Sequence, residues 1–341
     1  MVENSCGVRR RGRPPHSVVA AKPRLFPGRA TDYGLRTVDS EANHTRALDA
    51  LDWAIERAEG RTLEGPPRVE SVDFEVASVT FRDDVRGRLD RILMATDAEA
   101  GLDAMLECGA LGALLPPVNK LVGFGDGEWR HKDVWKHTKQ VVTQAVPRLE
   151  VRWGALLHDI GKVKTRSISP DGEVHFFGHA EVGARMLEKF HRRFPLFEPS
   201  LYDAVHFLVL HHLRASQYGG GWTDSAVRRF AREIGPYMED LFCLSRADIT
   251  TKRPEKKRRG MHQIDELQRR VSELAMKDAE RPLLPKGVGD AIMAAFGIPP
   301  SKRIGVVKDN LENAVKAGRV APYLESDEYV AFLRENPAFL K

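Results

Sequence analysis

Six side chains that could donate nitrogen or oxygen to a cation lie on otherwise apolar segments of this 341-residue chain: His137, His158, Asp159, His179, His212 and Asp248. Imidazoles and carboxylates without thiolates suit Mn, Fe, Co or Ni ahead of Ca, which takes an all-oxygen cage, with Mg admitted as well. A single His on an apolar face is usually a hydrogen-bonded core residue, but six such positions together make coincidence a poor account. Two divalent ions roughly 3.5–4 Å apart would acidify a bridging water to hydroxide and stabilise charge on an attacked phosphate, which is phosphoester hydrolysis. Asp159, adjacent to His158, is placed to bridge them.

Helical periodicity presents these groups. His137 lies between Val134 and Val141, at i−3 and i+4, and faces the core with them. Leu201, Val205, Leu208 and His212 share one face, while His211 is turned about 100° away, so His212 is the better inward ligand and His211 an additional donor. Asp248 follows Leu241 by seven residues and Leu244 by four. A carboxylate on that face would cost several kcal/mol unless a cation met it. His158 and Asp159 end an apolar run from residue 151, and His179 opens a helical pattern after a loop or hairpin between 162 and 178. Further helices are expected over 43–58, 85–95, 99–108, 111–121 (broken by Pro116 and Pro117), 132–145, 199–212, 223–233, 236–250, 263–279, 287–296 and 304–317, with a short strand or two near 69–81.

The net charge of +5 is localised. Residues 1–36 hold eight Lys/Arg against Glu3 and Asp32, leaving 45 basic and 46 acidic residues elsewhere, so the basicity belongs to a tail with four prolines and no apolar periodicity. Within it Arg11-Gly12-Arg13-Pro14 matches an AT-hook core, in which Arg11 and Arg13 would enter a narrow minor groove; an unspecific basic tail is the preferred reading. A second basic run, Lys252 to Arg259, includes Lys256, Lys257, Arg258 and Arg259 and would attract phosphate, or is simply an exposed charged loop. Cys6, Cys108 and Cys243 are too few and too far apart for a disulfide framework or a thiolate zinc site. No apolar run approaches the roughly 20 residues that cross a bilayer, and no signal-peptide pattern opens the chain, so a cytoplasmic protein without membrane partners is expected. Gly123-Phe124-Gly125-Asp126-Gly127 lacks the Lys-Ser/Thr of a phosphate loop.

The order His137, His158-Asp159, Asp248 resembles the metal signature of the HD superfamily of phosphohydrolases, and His179 with His211/His212 resembles its two-metal members. The resemblance implies that Lys162, in His-Asp-Ile-Gly-Lys, contacts substrate phosphate, although a solvated lysine at a helix end fits equally well. The segments Arg91-Ile92-Leu93, Ala100 to Leu111, Phe176 to Ala184, Arg246-Ala247-Asp248, Leu283-Leu284-Pro285 and Ala294 to Pro300 are similar to the neck, HD domain and tail of bacterial CCA-adding enzymes and poly(A) polymerases. Those enzymes carry a nucleotidyltransferase head with a Gly-Gly loop and an Asp-x-Asp pair. Arg82-Asp83-Asp84 has no preceding Gly-Gly, so transferase chemistry is not expected here.

The expected architecture is therefore mainly α: a disordered basic arm (1–36), an N-terminal and neck region (37–124), an HD-domain helical bundle (125–280) with a hairpin near 164–177, and a small helical C-terminal tail (281–341). The resemblance implies a metal-dependent phosphodiesterase acting on nucleotides or RNA ends, of 2′,3′-cyclic phosphate or 2′-phosphate type. Asp159, Lys162 and Arg246 would serve the chemistry, the last two by offsetting phosphate charge. A non-catalytic RNA- or tRNA-binding module, or a nucleoside triphosphate hydrolase using the same site, are the alternatives.

Overall fold

The structure, a computed structural model, describes residues 30–61, 65–124, 133–279 and 282–340, with side chains from residue 40 onward. The Arg11-Gly12-Arg13-Pro14 segment, most of the basic arm, and residues 125–127 of the glycine-rich stretch lie outside them.

Five helices build the first part: α1 (Ala30–Ala58), α2 (Val79–Met94), α3 (Ala98–Glu107), α4 (Ala110–Leu114) and α5 (Pro116–Asn119). Helix α1 begins well before residue 43, and its backbone takes in the end of the expected arm. Its buried Ala47, Ala50, Ala54 and Ala58 let α3 come close: a Cβ on Gly101 would stand 2.8 Å from that of Ala58. Ser78 and Asp97 cap α2 and α3, accepting from the backbone N–H groups of Phe81 and Ala100.

No strand forms over residues 69–77, against the alternation there. Val69 N–H donates to Cys108 C=O at 2.9 Å, and a Cβ on Gly109 (φ +84°) would lie 2.2 Å from Val69 O, so the segment crosses the α3–α4 corner as a strap with no second strand beside it. Val79 and Phe81, counted with that alternation, belong to α2.

The central part contains α6 (Val134–Gln144), α7 (Leu149–Leu157), α8 (Lys162–Thr165), β1 (Ser167–Ile168), β2 (Val174–His175), α9 (His179–Arg193), α10 (Pro199–His211), α11 (Asp224–Ile234), α12 (Met238–Ala247) and α13 (Pro254–Ala279). Helix α7 is its axis, with Val151 to Leu157 buried without exception among α2, α6, α10 and α12. Gly154 allows that enclosure, since a Cβ there would meet Leu208 at 3.1 Å. Strands β1 and β2 pair antiparallel, Ser167 opposite His175, around Gly172 (φ +83°). Helix α13 starts at Pro254, so most of the Lys252–Arg259 run is an exposed helical turn and not a loop. Proline at the first helical position, followed by Glu, Lys and Arg, explains that start.

One apolar core runs from α1 to α13, and polar links cross it: Trp153 Nε1 donates to Asp90 at 2.7 Å, Arg152 Nη1 to Leu93 C=O at 3.0 Å, and Lys139 Nζ to both Asp103 oxygens. A separate smaller core, including Ile292, Val307, Leu311, Tyr329 and Leu333, joins α14 (Val288–Phe296), α15 (Lys302–Lys316) and α16 (Ser326–Glu335). Among the described residues no helix is long and apolar enough to cross a membrane.

Candidate metal centre

The six donors come from helix ends that converge around α7. His137 lies in the first turns of α6, capped by Asp133, whose carboxylate accepts from the N–H groups of Trp135 and Lys136. His158 is the C-cap of α7 and Asp159 follows it; His212 is the C-cap of α10 and Asp248 that of α12. His179 is the first residue of α9, entered through Gly178 (φ +72°) directly after the hairpin. Three helix C-termini thus meet at one point, where their partial negative charge favours a cation.

Two triads result, each with donor atoms within 4.8 Å of one another: His137, His158 and Asp248, and Asp159, His179 and His212. Asp159 joins them. Its Oδ2 lies 3.1 Å from His158 Nε2 and 3.4 Å from His137 Nε2, while its Oδ1 lies 3.5 Å from His179 Nε2. Asp248 Oδ1 stands 3.1 Å from His137 Nε2.

The backbone sets which ring nitrogen faces inward. His158, His179 and His212 each donate Nδ1–H to the carbonyl three residues earlier, on Ala155, Phe176 and Val209, at 2.8 to 2.9 Å. Ala155 and Val209 lie in the last turns of α7 and α10, where carbonyls lack intrahelical partners and the imidazoles satisfy them, while Phe176 lies in the turn that leads into α9. His137 Nδ1 meets the buried Thr250 hydroxyl at 3.0 Å. A carbonyl can only accept, so Nδ1 carries the proton and a neutral ring offers its Nε2 lone pair to the cluster. The inward nitrogens then face each other: His179 and His212 Nε2 are 3.1 Å apart, His137 and His158 Nε2 3.3 Å. Two lone pairs at that distance repel unless a positive charge lies between them. The donor set therefore fits divalent cations.

Protonation agrees. Burial pushes His212 down to about 4 and also lowers His179, so both stay neutral near pH 7. Burial opposes the charge on Asp159, but His158 and Lys162 outweigh it and hold the carboxyl well below the usual carboxylate range. Asp248 is likewise lowered to about 2, burial being overcome by its hydrogen bond to His137 and the nearby His158. For His158 the Asp159 carboxylate overcomes burial and raises the ring.

Lys162 Nζ bonds Asp159 Oδ2 at 2.6 Å and stands 5.5 Å from the Phe176 ring centre. His211 lies outside both triads, its ring 4.3 Å from that of Phe207, as its 100° offset from His212 requires. Arg246 is also outside them: its guanidinium holds Asp265 and Gln268 on α13. Lys256, Lys257, Arg258 and Arg259 project from the first turns of α13 into solvent. Thr250 and the close-packed Gly161 and Gly183 were not legible as site residues. Thr250 carries one sequence signal, its place two residues after Asp248.

Residues 134–267 match the HD domain family. The chain is 31% identical over 264 residues, 74% of its length, to the CC-adding tRNA nucleotidyltransferase of Thermus thermophilus, and 29% identical over 259 residues to the A-adding tRNA nucleotidyltransferase of Deinococcus radiodurans. The multifunctional CCA protein of an Azoarcus species is 36% identical over 114 residues, 32% of this chain and 26% of that protein. The matches to the Thermus and Deinococcus proteins each span 57% of the relative's length. The chain thus carries an HD domain at residues 134–267 and is homologous to the CCA-adding enzymes over about 72% of its length.

Proposed function

We propose that the protein is a divalent-metal-dependent phosphohydrolase that cleaves phosphoesters of nucleotides or RNA ends, with 2′,3′-cyclic phosphates and 2′-phosphates as the substrate class. The observation that carries this reading is the pair of opposed Nε2 contacts, His179 with His212 and His137 with His158, whose Nδ1 atoms are committed elsewhere. His137, His158 and Asp248 would hold one ion, and Asp159, His179 and His212 a second. Divalent ions there supply Lewis acidity, lowering the pKa of water and offsetting phosphate charge.

The protein's own groups do the rest. Thr250 and the three backbone carbonyls orient the imidazoles, and Asp159 stays ionised. Lys162, now on Asp159 and 20% exposed, swings to a phosphate oxygen when substrate arrives. Phe177, 77% exposed, stacked on His175 and directly before Gly178–His179, offers a flat face to a base. The relatives' names point to tRNA, so the 3′ end of a tRNA is the first macromolecular substrate to try. Arg246 takes a role at phosphate only by leaving Asp265, and His211 only as a donor outside the two triads.

Metal-loaded protein incubated with bis-p-nitrophenyl phosphate and 2′,3′-cyclic nucleotides, beside Asp159→Ala, tests the reading. Metal-dependent turnover that the variant lacks supports it; no turnover above the variant refutes it. Cleavage of a nucleoside triphosphate, added as a further substrate, in preference to these would shift the substrate class and leave the site assignment standing.

A further inference from the structure

A second polar feature lies beside α8, whose Lys164 lines it. Between residues 116–120 and α9 runs an open cleft of about 210 Å³, lined by Phe74, Pro116, Pro117, Met186 and Phe190 with Lys120, Lys164, Lys189 and Arg193 around it. All four cations are exposed, and none has an ion pair or hydrogen bond among the described residues. No carboxylate lines the cleft. Asp73 and Glu75 flank Phe74 along the chain, which confines an anion to the α9 side.

The aromatic floor is built. Phe194 stacks on one face of Phe74 with centroids 4.4 Å apart, and Phe190 meets it edge-on at 6.1 Å, fixing the ring with its remaining surface toward the cleft. A cleft of this size is below the roughly 300–1,000 Å³ of pockets that enclose a whole small ligand. It holds one flat group while the remainder of the ligand runs outside. Cations spaced along an aromatic-floored groove are the arrangement that binds single-stranded nucleic acid, phosphates on Lys and Arg and bases on rings.

We propose that this cleft is a binding track for single-stranded nucleic acid, carrying the strand whose end is presented to the metal centre. Lys164 connects the two sites: it lines the cleft and lies two residues from Lys162, whose Nζ is on Asp159. Resting on the hydrolase reading, this makes the substrate an oligonucleotide end and not a mononucleotide. The exposed basic turn of α13 is the competing place for a strand, but Arg258 there is engaged by Glu255.

The test is binding, which does not depend on turnover. Fluorescence anisotropy of labelled decauridylate and decathymidylate is measured with the full chain, with Lys120→Gln/Lys189→Gln/Arg193→Gln, and with Lys256→Gln/Lys257→Gln/Arg259→Gln. The cleft variant is expected to lose about tenfold or more in affinity, and its slope of log K against log salt to fall by about 2, near 0.7 for each lost contact. Its metal content and its turnover of bis-p-nitrophenyl phosphate should match the parent, which separates this outcome from failure of the hydrolase reading. Affinity within about twofold of the parent, an equal loss in the α13 variant, or uridine monophosphate binding as tightly as the decamer would each overturn the proposal.

Discussion

Gly161 offers the sharpest test of how the second triad is built. Its backbone (φ −72°, ψ −20°) is one that any residue adopts, so replacing it with alanine strains no dihedral. The new Cβ would instead lie 2.0 Å from the carbonyl oxygen of His179 and 2.6 Å from the backbone nitrogen of Gly183. Ordinary contact begins at 3.4 Å, so the two segments must part by about 1.4 Å, and because the obstacle is backbone no side chain can yield instead. The obstructing carbonyl belongs to a proposed ligand. Moving it moves His179 Nε2 away from Asp159 Oδ1, now at 3.5 Å, and from His212 Nε2, now at 3.1 Å. The first triad stands on α6, α7 and α12, whereas the three atoms nearest the new methyl all belong to α9.

Gly161→Ala should therefore bind one ion where the parent binds two, counted by elemental analysis after gel filtration. Misplacement of about 1 Å at a reaction centre costs on the order of 10²-fold in rate, and overpacking about 1–3 kcal/mol, or about 2–10 °C in Tm. Gly183→Ala, whose Cβ would meet Gly161 N at 3.3 Å and Val209 Cγ1 at 3.4 Å, should be milder on both readouts. His179→Ala should lower the ion count equally without the fall in Tm. Two ions retained in Gly161→Ala, with parental Tm, would refute the link between this glycine and the site.

Other consequences are equally direct. Thr250→Val removes the hydroxyl that orients His137 and should weaken the first ion about 10–100-fold by competition with a chelating dye; unchanged affinity would show that Thr250 does not act through the ring. Phe177→Ala should raise KM for nucleotide substrates and leave kcat/KM for bis-p-nitrophenyl phosphate unchanged, and an equal effect on both would remove the base-stacking role. His191 is lowered by burial and its Nδ1 has no partner among the described residues, so the folded state resists protonation there. Its contribution to stability is present above the unfolded value of about 6.5 and is lost as pH falls below it. His191→Phe keeps the stack on Tyr202, at 4.3 Å, and should make the fall in Tm between neutral pH and pH about 5 smaller than in the parent; an equal or steeper fall would contradict the sign. Lys139, 10% exposed, faces Asp103 and Glu99, which are themselves half exposed, so Asp103→Ala should cost only about 1 kcal/mol by urea titration; several kcal/mol would mean that the pair is far less screened than its exposure indicates.

What could be seen in the sequence was whatever follows helical periodicity. Val134, His137 and Val141, and Leu208 with His212, share faces because 3.6 residues make a turn, and the structure places those imidazoles inward. The helix-rich architecture and the hairpin before His179 follow from the same periodicity and from turn chemistry. The errors arise where local pattern competes with tertiary pairing. Alternation over 69–81 describes the side chains of an extended strap equally well, because a strand also needs a neighbour and sequence does not show that none is there. The charged run before residue 263 has helix-forming residues throughout but few apolar ones, so amphipathic spacing missed the start of α13. Gly161, Gly183 and the carbonyls of Ala155, Phe176 and Val209 act through backbone proximity, which leaves no pattern of residue types.

The placement of the donors at helix ends explains how a nearly water-free centre tolerates so many polar groups. Were His158 and His212 in mid-helix, the carbonyls three residues earlier would already accept from the helix backbone and would be poorer partners for an imidazole. At a C-terminus those carbonyls are free, so one arrangement satisfies the orphan acceptors, fixes each Nδ1–H and aims each Nε2. The aligned peptide dipoles of α7, α10 and α12 add negative potential at the same point, which deepens the well for a cation and raises the cost of an empty site. Lys162 fits this electrostatic demand, since its ammonium lies on the Asp159 oxygen that also faces the first triad. A cation bound there competes with Lys162 for that oxygen. Metal loading would therefore release the lysine toward solvent at the mouth of the site, where a phosphate must approach, and ion binding and substrate recognition become coupled through a single carboxylate.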